Sequence, residues 1–342
     1  MIKKENKVDI VVPWVDGNDP EWLKVKSKYQ SLDASSPVTD ARDNRYRDWD
    51  TIRFLFRGIE RHMPWVNNVF LITWGHLPSW INPNAEKLRI VKHSDYIPEK
   101  YLPTFCSHTI ELNLHRIKDL SEQFIYFNDD LLVMRDTSKE DFFHNGLSRD
   151  YAILNPIPTT NIKSVQDCTL TDLEIINSHF NKKAVIKQNL GKWLSPAYGK
   201  LLFRSMCLLP WPYFAGFLSR HQCNAYLKST FEEVWSKEYG ILDETCSHKF
   251  RTRRDVNQWV MRYWQLASGK FEPIKPYGEV CYLSDDNKYN SILFKTIENS
   301  QNKTIVIHDD FQSFDSDRYL ELKTSLISHL EHRYPHKSAF EK

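Results

Sequence analysis

Phe124-Ile125-Tyr126-Phe127-Asn128-Asp129-Asp130 decides the fold. The unbroken apolar and aromatic run, bounded by Glu122 and Asn128, predicts a buried strand whose C-terminal end empties into two adjacent carboxylates. Ligands of open α/β sheets gather outside that end of the strands. Neighbouring carboxylates repel unless a cation or an arginine neutralises them, which suits a hard divalent ion such as Mg²⁺ (or Mn²⁺) carrying a phosphorylated ligand. A solvated acidic turn uses the same residues, and on this stretch alone the two readings stand level.

Upstream, Val8-Asp9-Ile10-Val11-Val12 predicts a first strand, followed by the turn Pro13-Trp14-Val15-Asp16-Gly17-Asn18-Asp19-Pro20. Asp16 and Asp19 face either a ligand or their own backbone as Asx turns, and the residues leave both uses open. Residues 23 to 44 are polar and read as a surface segment. Arg45-Tyr46-Arg47-Asp48 leads into a helix with Ile52, Leu55, Phe56 and Ile59 at helical spacing, capped by Asp48 or Asp50 and stopped by Pro64. The guanidinium forks of Arg45, Arg47, Arg53 and Arg57 suit phosphate oxygens, or else form a solvated basic face paired with Asp43, Asp48 and Glu60. Strands at Val69–Ile72 and Leu88–Val91 and a helix over 107–118 complete the rhythm. It predicts an α/β fold with a mostly parallel sheet, its loops on one edge, and Leu131 to Met134 as a further short strand.

The composition is that of a folded chain, since 41% apolar and 13% aromatic content over 342 residues is ample for a core. Lysine and arginine total 46 against 44 acidic residues, and a net charge of +2 supplies no global field to recruit nucleic acid or an anionic membrane. Partners must therefore be read from local sites. The cysteines at 106, 168, 207, 223, 246 and 281 lack C-x-x-C spacing and disulfide-scaffold density, so they read as reduced thiols of a cytosolic protein. Met1 to Lys7 is basic without the apolar core of a secretory leader, and no stretch reaches the length needed to span a bilayer. A soluble, cytoplasmic protein is expected, with peripheral contact at the inner face of the plasma membrane left open and oligomeric state not legible.

Residues 136–210 turn more helical, with Leu173, Ile176 and Phe180 along one helix. Asn224 reads as the cap of a helix burying Leu227, Phe231, Val234 and Trp235, which sets His221 just ahead of a phosphate-favouring helix start. Thr252-Arg253-Arg254-Asp255 reads as a capping box opening a helix through Val256, Val260, Tyr263 and Trp264, with His248-Lys249-Phe250-Arg251 directly before it. Thr304-Ile305-Val306-Ile307 then repeats the opening theme, running into His308, Asp309 and Asp310. A closing helix carries Tyr319, Leu322, Leu326 and Leu330 along one side. Trp14 and Trp74, at strand ends, suit either core or a stacking surface for a base or sugar, whereas Trp49 reads as core on its helix.

Together these blocks resemble the Stealth family of sugar-1-phosphate transferases, which includes bacterial capsule and receptor polysaccharide phosphotransferases and the animal N-acetylglucosamine-1-phosphotransferase. Val8 to Pro20 resembles the family's first conserved block. Arg45 to Leu131 resembles the second, through Arg45-Tyr46-Arg47-Asp48, Pro64-Trp65-Val66, Leu102-Pro103-Thr104-Phe105, Leu114-His115-Arg116 and Phe127-Asn128-Asp129-Asp130. His221 to Gly269 resembles the third and Ile305 to Asp310 the fourth. Cys106 and His108 replace two amides usual after Leu-Pro-Thr-Phe, and Cys223 stands where a proline often follows the histidine.

The resemblance implies a nucleotide-sugar-binding sheet with added helical segments, as one catalytic domain over 1–342 with 136–210 a helical insertion. It implies transfer of a hexose 1-phosphate from a nucleotide diphosphate sugar, most often a UDP-sugar, to a hydroxyl of a lipid-linked or polymeric glycan, with release of UMP. Such a transfer builds charge on phosphoryl oxygens, so it needs a metal and cationic donors more than a covalent nucleophile. Asp129 and Asp130 are the implied metal ligands, Asp130 alternatively orienting the acceptor. Asp130, His221 and Arg251 are carried over as catalytic, with His221 as general base and Arg251 on the transferred phosphoryl group. Trp14, Asp16, Gly17, Arg45, Arg47, His248 and Asp309 are expected to bind substrate. Two rivals stand beside this reading: a metal-dependent GT-A glycosyltransferase releasing UDP, and a noncatalytic glycan-binding module in which the acidic pairs are incidental.

Overall fold

Val8–Pro13 and Gln123–Tyr126, buried almost without interruption, lie side by side as parallel neighbours, Val8 opposite Gln123 and Val11 opposite Tyr126. Near-continuous apolar strands of this kind need cover on both faces, and both are covered. The computed structural model describes residues 7–32, 48–158, 166–311 and 316–342. In chain order the strands of these residues are β1 (Val8–Pro13), β2 (Val69–Thr73), β3 (Leu88–Lys92), β4 (Gln123–Tyr126), β5 (Leu131–Val133), β6 (Phe143–His144), β7 (Leu147–Asp150), β8 (Asn224–Leu227), β9 (Phe271–Pro273), β10 (Glu279–Leu283) and β11 (Thr304–Asp309).

The central sheet is five-stranded, ordered β3-β2-β1-β4-β8. Its first four strands are parallel and β8 runs antiparallel to β4. Side chains alternate across it with the period of two that a pleated strand imposes. Ile10, Val12, Val69, Leu71 and Ile125 join one core with the helices Ile52–His62 and Ser316–Arg333. Val11, Phe70, Ile72, Phe124 and Tyr126 join the other, with the helices Lys228–Lys237 and Trp259–Ala267. A second sheet, β10-β11-β5, has β10 parallel and β5 antiparallel to β11. The Ile307 amide of β11 donates to the Asp130 carbonyl at 2.9 Å, which ties the acidic tip beyond β4 to this second sheet. The third sheet is β6-β7-β9. The expected α/β class with a mostly parallel sheet is what the chain adopts.

Several local expectations are corrected. Asn224 caps no helix: it opens β8, and the helix starts at Lys228, because Tyr226 and Leu227 serve a strand as readily as a helix. Thr252–Asp255 is a closed turn, with Asp255 accepting from the Thr252 amide and hydroxyl, while the helix begins at Trp259. Thr51, not Asp48 or Asp50, precedes the helix Ile52–His62 and makes no side-chain cap; Asp48 accepts from Trp14 Nε1 instead. Trp49 is buried as expected but lies ahead of that helix rather than on it. Part of the polar segment from 23 onward is the helix Pro20–Leu32, held by Trp22 against Phe105, an anchor too sparse to read as amphipathic periodicity. The helix expected over 107–118 is Ser107–Leu112 followed by a short 3₁₀ turn. Residues 136–210 contain β6 and β7 ahead of the helices Gln166–His179, Lys182–Gln188, Leu190–Trp193 and Leu202–Leu208. Among the described residues no helix is long and apolar enough to cross a membrane.

Gly58 lies where the helix Ile52–His62 meets β5, and an added Cβ would stand 2.8 Å from the Val133 carbonyl oxygen. Gly58→Ala is therefore expected to lower stability by about 1–3 kcal/mol through overpacking, against alanine's better helix propensity. The urea midpoint should fall; an unchanged midpoint would show that helix and strand separate at no cost.

Candidate active site

The site forms at the carboxyl edge of the parallel strands, and β8 supplies its second wall. In the β4–β8 ladder Tyr126 lies opposite Asn224. Extending that antiparallel register past both strand ends brings Asn128 across from Gln222 and Asp129 across from His221, with Asp130 one position further on. His221 Nε2 lies 2.6 Å from Asn128 Nδ2 and 3.4 Å from Asp130 Oδ2. A cavity of about 420 Å³ opens here, and Trp14, Asp48, Asp129, Asp130, His221 and Arg251 are among its lining residues. That volume lies within the range of about 300–1,000 Å³ common for small-molecule sites.

The electrostatics of the recess are strained on the acidic side. Asp129 is open to the cavity yet hemmed in by protein, and this confinement, with the Asp130 and Asp48 carboxylates beside it, lifts its carboxyl to about 7. Asp48 is also raised, chiefly by burial. Asp130 Oδ1 is buried with no hydrogen-bond partner, the condition of an oxygen lacking a cation or donor. Oxygen-only donors, mutual repulsion and an orphaned oxygen fit Mg²⁺ or Mn²⁺ held by Asp129 and Asp130.

Two cationic groups face these carboxylates. Burial opposes charging His221, but Asp130 outweighs it and raises the imidazole above its ordinary value. With the Asn128 amide nitrogen turned to it, Nε2 is an acceptor; once protonated, the same nitrogen has Asp130 within reach. Arg251 donates from Nη2 to Ser107 Oγ at 2.6 Å. Its loop is fastened by the fully buried Asp255, which accepts from His248 Nδ1 at 2.8 Å and has His108 Nδ1 at 3.5 Å. Despite burial, His108 and His248 hold the Asp255 carboxyl well below the usual range. Burial likewise opposes charge on His108, yet Cys106 and Asp255 raise it to about 9. Cys106, His108 and Asp255 bring a sulfur, a nitrogen and an oxygen within 4.8 Å of one another. That donor set suits a borderline ion such as zinc rather than magnesium; with Asp255 already accepting from His248 and Thr252, it works here as an ion-pair cluster beneath Arg251.

Of the residues singled out from sequence, Trp14, Asp129, Asp130, His221 and Arg251 line the cavity. Asp16, Gly17, His248 and Asp309 are not among its lining residues. Asp16 Oδ1 accepts from the Asn18 amide in an Asx turn, the alternative its loop left open. His248 faces Asp255, and Asp309 accepts from Trp49 Nε1 at 3.0 Å. Arg45 and Arg47 lie outside the described residues. His221 precedes a strand rather than a helix, so no helix dipole acts at it. Sequence reasoning missed the contacts of Asn128 to His221 and Ser107 to Arg251; Asn128 at least adjoins the acidic pair, whereas Ser107 carries no signal.

Two family models match: the one described as Stealth protein CR1, conserved region 1, over residues 6–31, and Stealth protein CR2, conserved region 2, over residues 45–150. The capsular polysaccharide phosphotransferase WcwK of Streptococcus pneumoniae is 40% identical over 338 residues, covering 98% of this chain and 99% of that protein. The receptor polysaccharide phosphotransferase WefC of Streptococcus oralis is 34% identical over 338 residues, with the same coverage of 98% and 99%. Among solved structures, the galactosyltransferase LgtC in complex with donor and acceptor sugar analogues aligns over 93% of this chain and 95% of its own, at 9% identity and a TM-score of 0.37. That likeness is too loose to assign any residue a role.

The lifted Asp129 carboxyl bears on stability. Its folded value of about 7 exceeds the ordinary 3.8, so the folded state binds this proton more tightly than the unfolded chain. Stability contributed through this group therefore falls as pH climbs from about 4 to 7. Without divalent ions, Asp129→Asn is expected to melt at a higher temperature than wild type at pH 8, with the gap narrowing at pH 5. Identical melting at both pH values would show that Asp129 ionises without penalty.

Proposed function

Because the chain belongs to the Stealth family of polysaccharide phosphotransferases, we propose that it transfers a hexose 1-phosphate from a UDP-sugar to a hydroxyl of a lipid-linked or polymeric glycan, releasing UMP. The observation that carries this reading is the meeting of two adjacent carboxylates, an imidazole and a guanidinium in one cavity at the carboxyl edge of a parallel sheet. A charged diphosphate reacting at phosphorus needs those groups and no covalent nucleophile.

In the proposed reaction the acceptor oxygen bonds to the sugar-side phosphorus, the bond from that phosphorus to the bridging oxygen breaks, and UMP leaves with that oxygen. His221 Nε2 takes the acceptor proton, and the resulting imidazolium is stabilised by Asp130 at 3.4 Å. Arg251, steadied by Ser107, offers its fork to the non-bridging oxygens, on which charge is redistributed. Asp129 and Asp130 would hold Mg²⁺ or Mn²⁺, which when bound supplies Lewis-acid neutralisation of the diphosphate. Trp14 has its indole N–H on Asp48 at 3.2 Å, so what it offers a base or sugar is ring surface.

The products decide the bond. Incubation with a UDP-sugar, Mg²⁺ and a glycan acceptor is expected to yield UMP in step with a phosphodiester, and to stop on addition of EDTA. Release of UDP without UMP would mean attack at the anomeric carbon, and undiminished turnover in excess EDTA would remove the metal.

His221→Ala is expected to lower turnover by roughly 10²–10⁴-fold with donor affinity nearly unchanged, since a general base acts in the transition state. Normal turnover with weakened donor binding would make His221 a binding group instead.

A further inference from the structure

An apolar, basic outcrop stands apart from the groups used in this chemistry. Within residues 203–213, Phe203 is 70% exposed, Met206 54%, Trp211 60% and Tyr213 65%. Phe203 and Met206 are three residues apart on the helix Leu202–Leu208 and so share a face, while Trp211 and Tyr213 follow in the next bend. The bend is built rather than loose. Lys182, 2% exposed, donates from Nζ to the carbonyls of Leu208 at 2.5 Å and Trp211 at 2.7 Å. On the helix itself, Ser205 is buried and its hydroxyl accepts from the Leu154 amide at 3.0 Å, so the opposite face is the one left exposed. A protein that fastens large aromatic side chains outward from a fixed backbone leaves an apolar surface that calls for a partner.

The charge around the outcrop identifies the partner. No aspartate or glutamate occurs between Glu174 and Glu232, although the whole chain carries a net charge of only +2. Lys183, Lys187, Lys200 and Arg204 are exposed within that acid-free span. Lysines and arginine beside tryptophan, tyrosine and phenylalanine match the layered chemistry of a bilayer surface: anionic headgroups outside, with an interface beneath that favours amphipathic rings. We propose that residues 183–213 form a docking surface for an anionic lipid bilayer, with Phe203, Met206, Trp211 and Tyr213 entering the interface and the basic side chains lying on the headgroups.

Docking here goes beyond the transfer chemistry and does not depend on which bond is made. It has a consequence that rests on the transferase reading. The chain runs from Tyr213 to His221 over a distance of at most roughly 28 Å, so the cavity stays near the lipid surface, where a lipid-anchored acceptor would be presented.

The test is flotation of the full chain with vesicles of phosphatidylglycerol mixed into phosphatidylcholine, against vesicles of phosphatidylcholine alone. Wild type is expected to float with the anionic vesicles, to release at high salt, and to leave the neutral vesicles largely unbound. Trp211→Ser with Tyr213→Ser, and separately Lys183→Glu with Lys187→Glu and Lys200→Glu, are each expected to weaken anionic binding by about tenfold or more. Turnover of a soluble, lipid-free acceptor should be unchanged in both variants, which shows that they fold. Absence of wild-type flotation, or equal flotation of wild type and variants, would overturn the proposal. So would a concentration-dependent dimer, seen by sedimentation velocity, that the aromatic variant abolishes while vesicle binding persists. Failed flotation with UMP release intact sinks docking alone, and UDP release with flotation intact sinks the phosphotransfer reading alone.

Discussion

The antiparallel pairing of β8 on β4 is the constraint on which the site depends. Parallel strands send all their carboxyl ends to one edge, so β1 and β4 alone would gather Trp14 and the acidic pair there without an opposing cation. A strand laid antiparallel arrives at that edge with its amino end, and whatever precedes it in sequence comes too. Tyr126 opposite Asn224 therefore brings the segment that carries His221 to the acidic pair, where the imidazole meets Asp130, although more than ninety positions separate them in the chain. Because a pleated ladder has a side-chain period of two, a slip of one residue would turn the β8 side chains to the opposite face and shift the segment that carries His221.

The same economy explains how the recess tolerates its charge. Asp130 and Asp48 raise the cost of ionising Asp129, while His221 and Arg251 approach from the other side. Ser107 holds the Arg251 side chain directly, and groups that Arg251 does not touch hold its loop. Asp255 receives His248 and Thr252 and draws His108 toward it, and Arg251 stands at the head of that turn. Charge beneath this part of the cavity is thus balanced in a short chain of partners that ends at Arg251 on its wall.

Much of this is legible in the order of the residues. The strand rhythm gave the mixed α/β class, since buried parallel strands betray themselves as uninterrupted apolar runs, and the acidic pair stood at the end of the strongest of them. What was not legible was the local form of the cationic arms. His221 and Arg251 were both expected at helix starts, because Asn224 and Thr252 have the chemistry of caps; in the folded chain one opens an edge strand and the other a closed turn. Propensity at four or five residues cannot separate these outcomes, for the choice is made by β4, distant in sequence, offering an unpaired edge. The setting of Asp309 was no more legible. An acidic residue at a strand tip looks available, but Trp49 arrives from far away in the chain to occupy it.

The bond from the Ile307 amide to the Asp130 carbonyl has a temporal meaning. A ribosome delivers the acidic tip early, His221 and Arg251 much later, and β11 near the finish, and domains assemble from the amino end as they emerge. A nascent chain that has made only its first half thus owns the repelling carboxylates without the cations or the strand that steadies them. The cavity is complete only with the closing segments of synthesis, so a chain cut short before them would carry the acidic tip without its opposite wall.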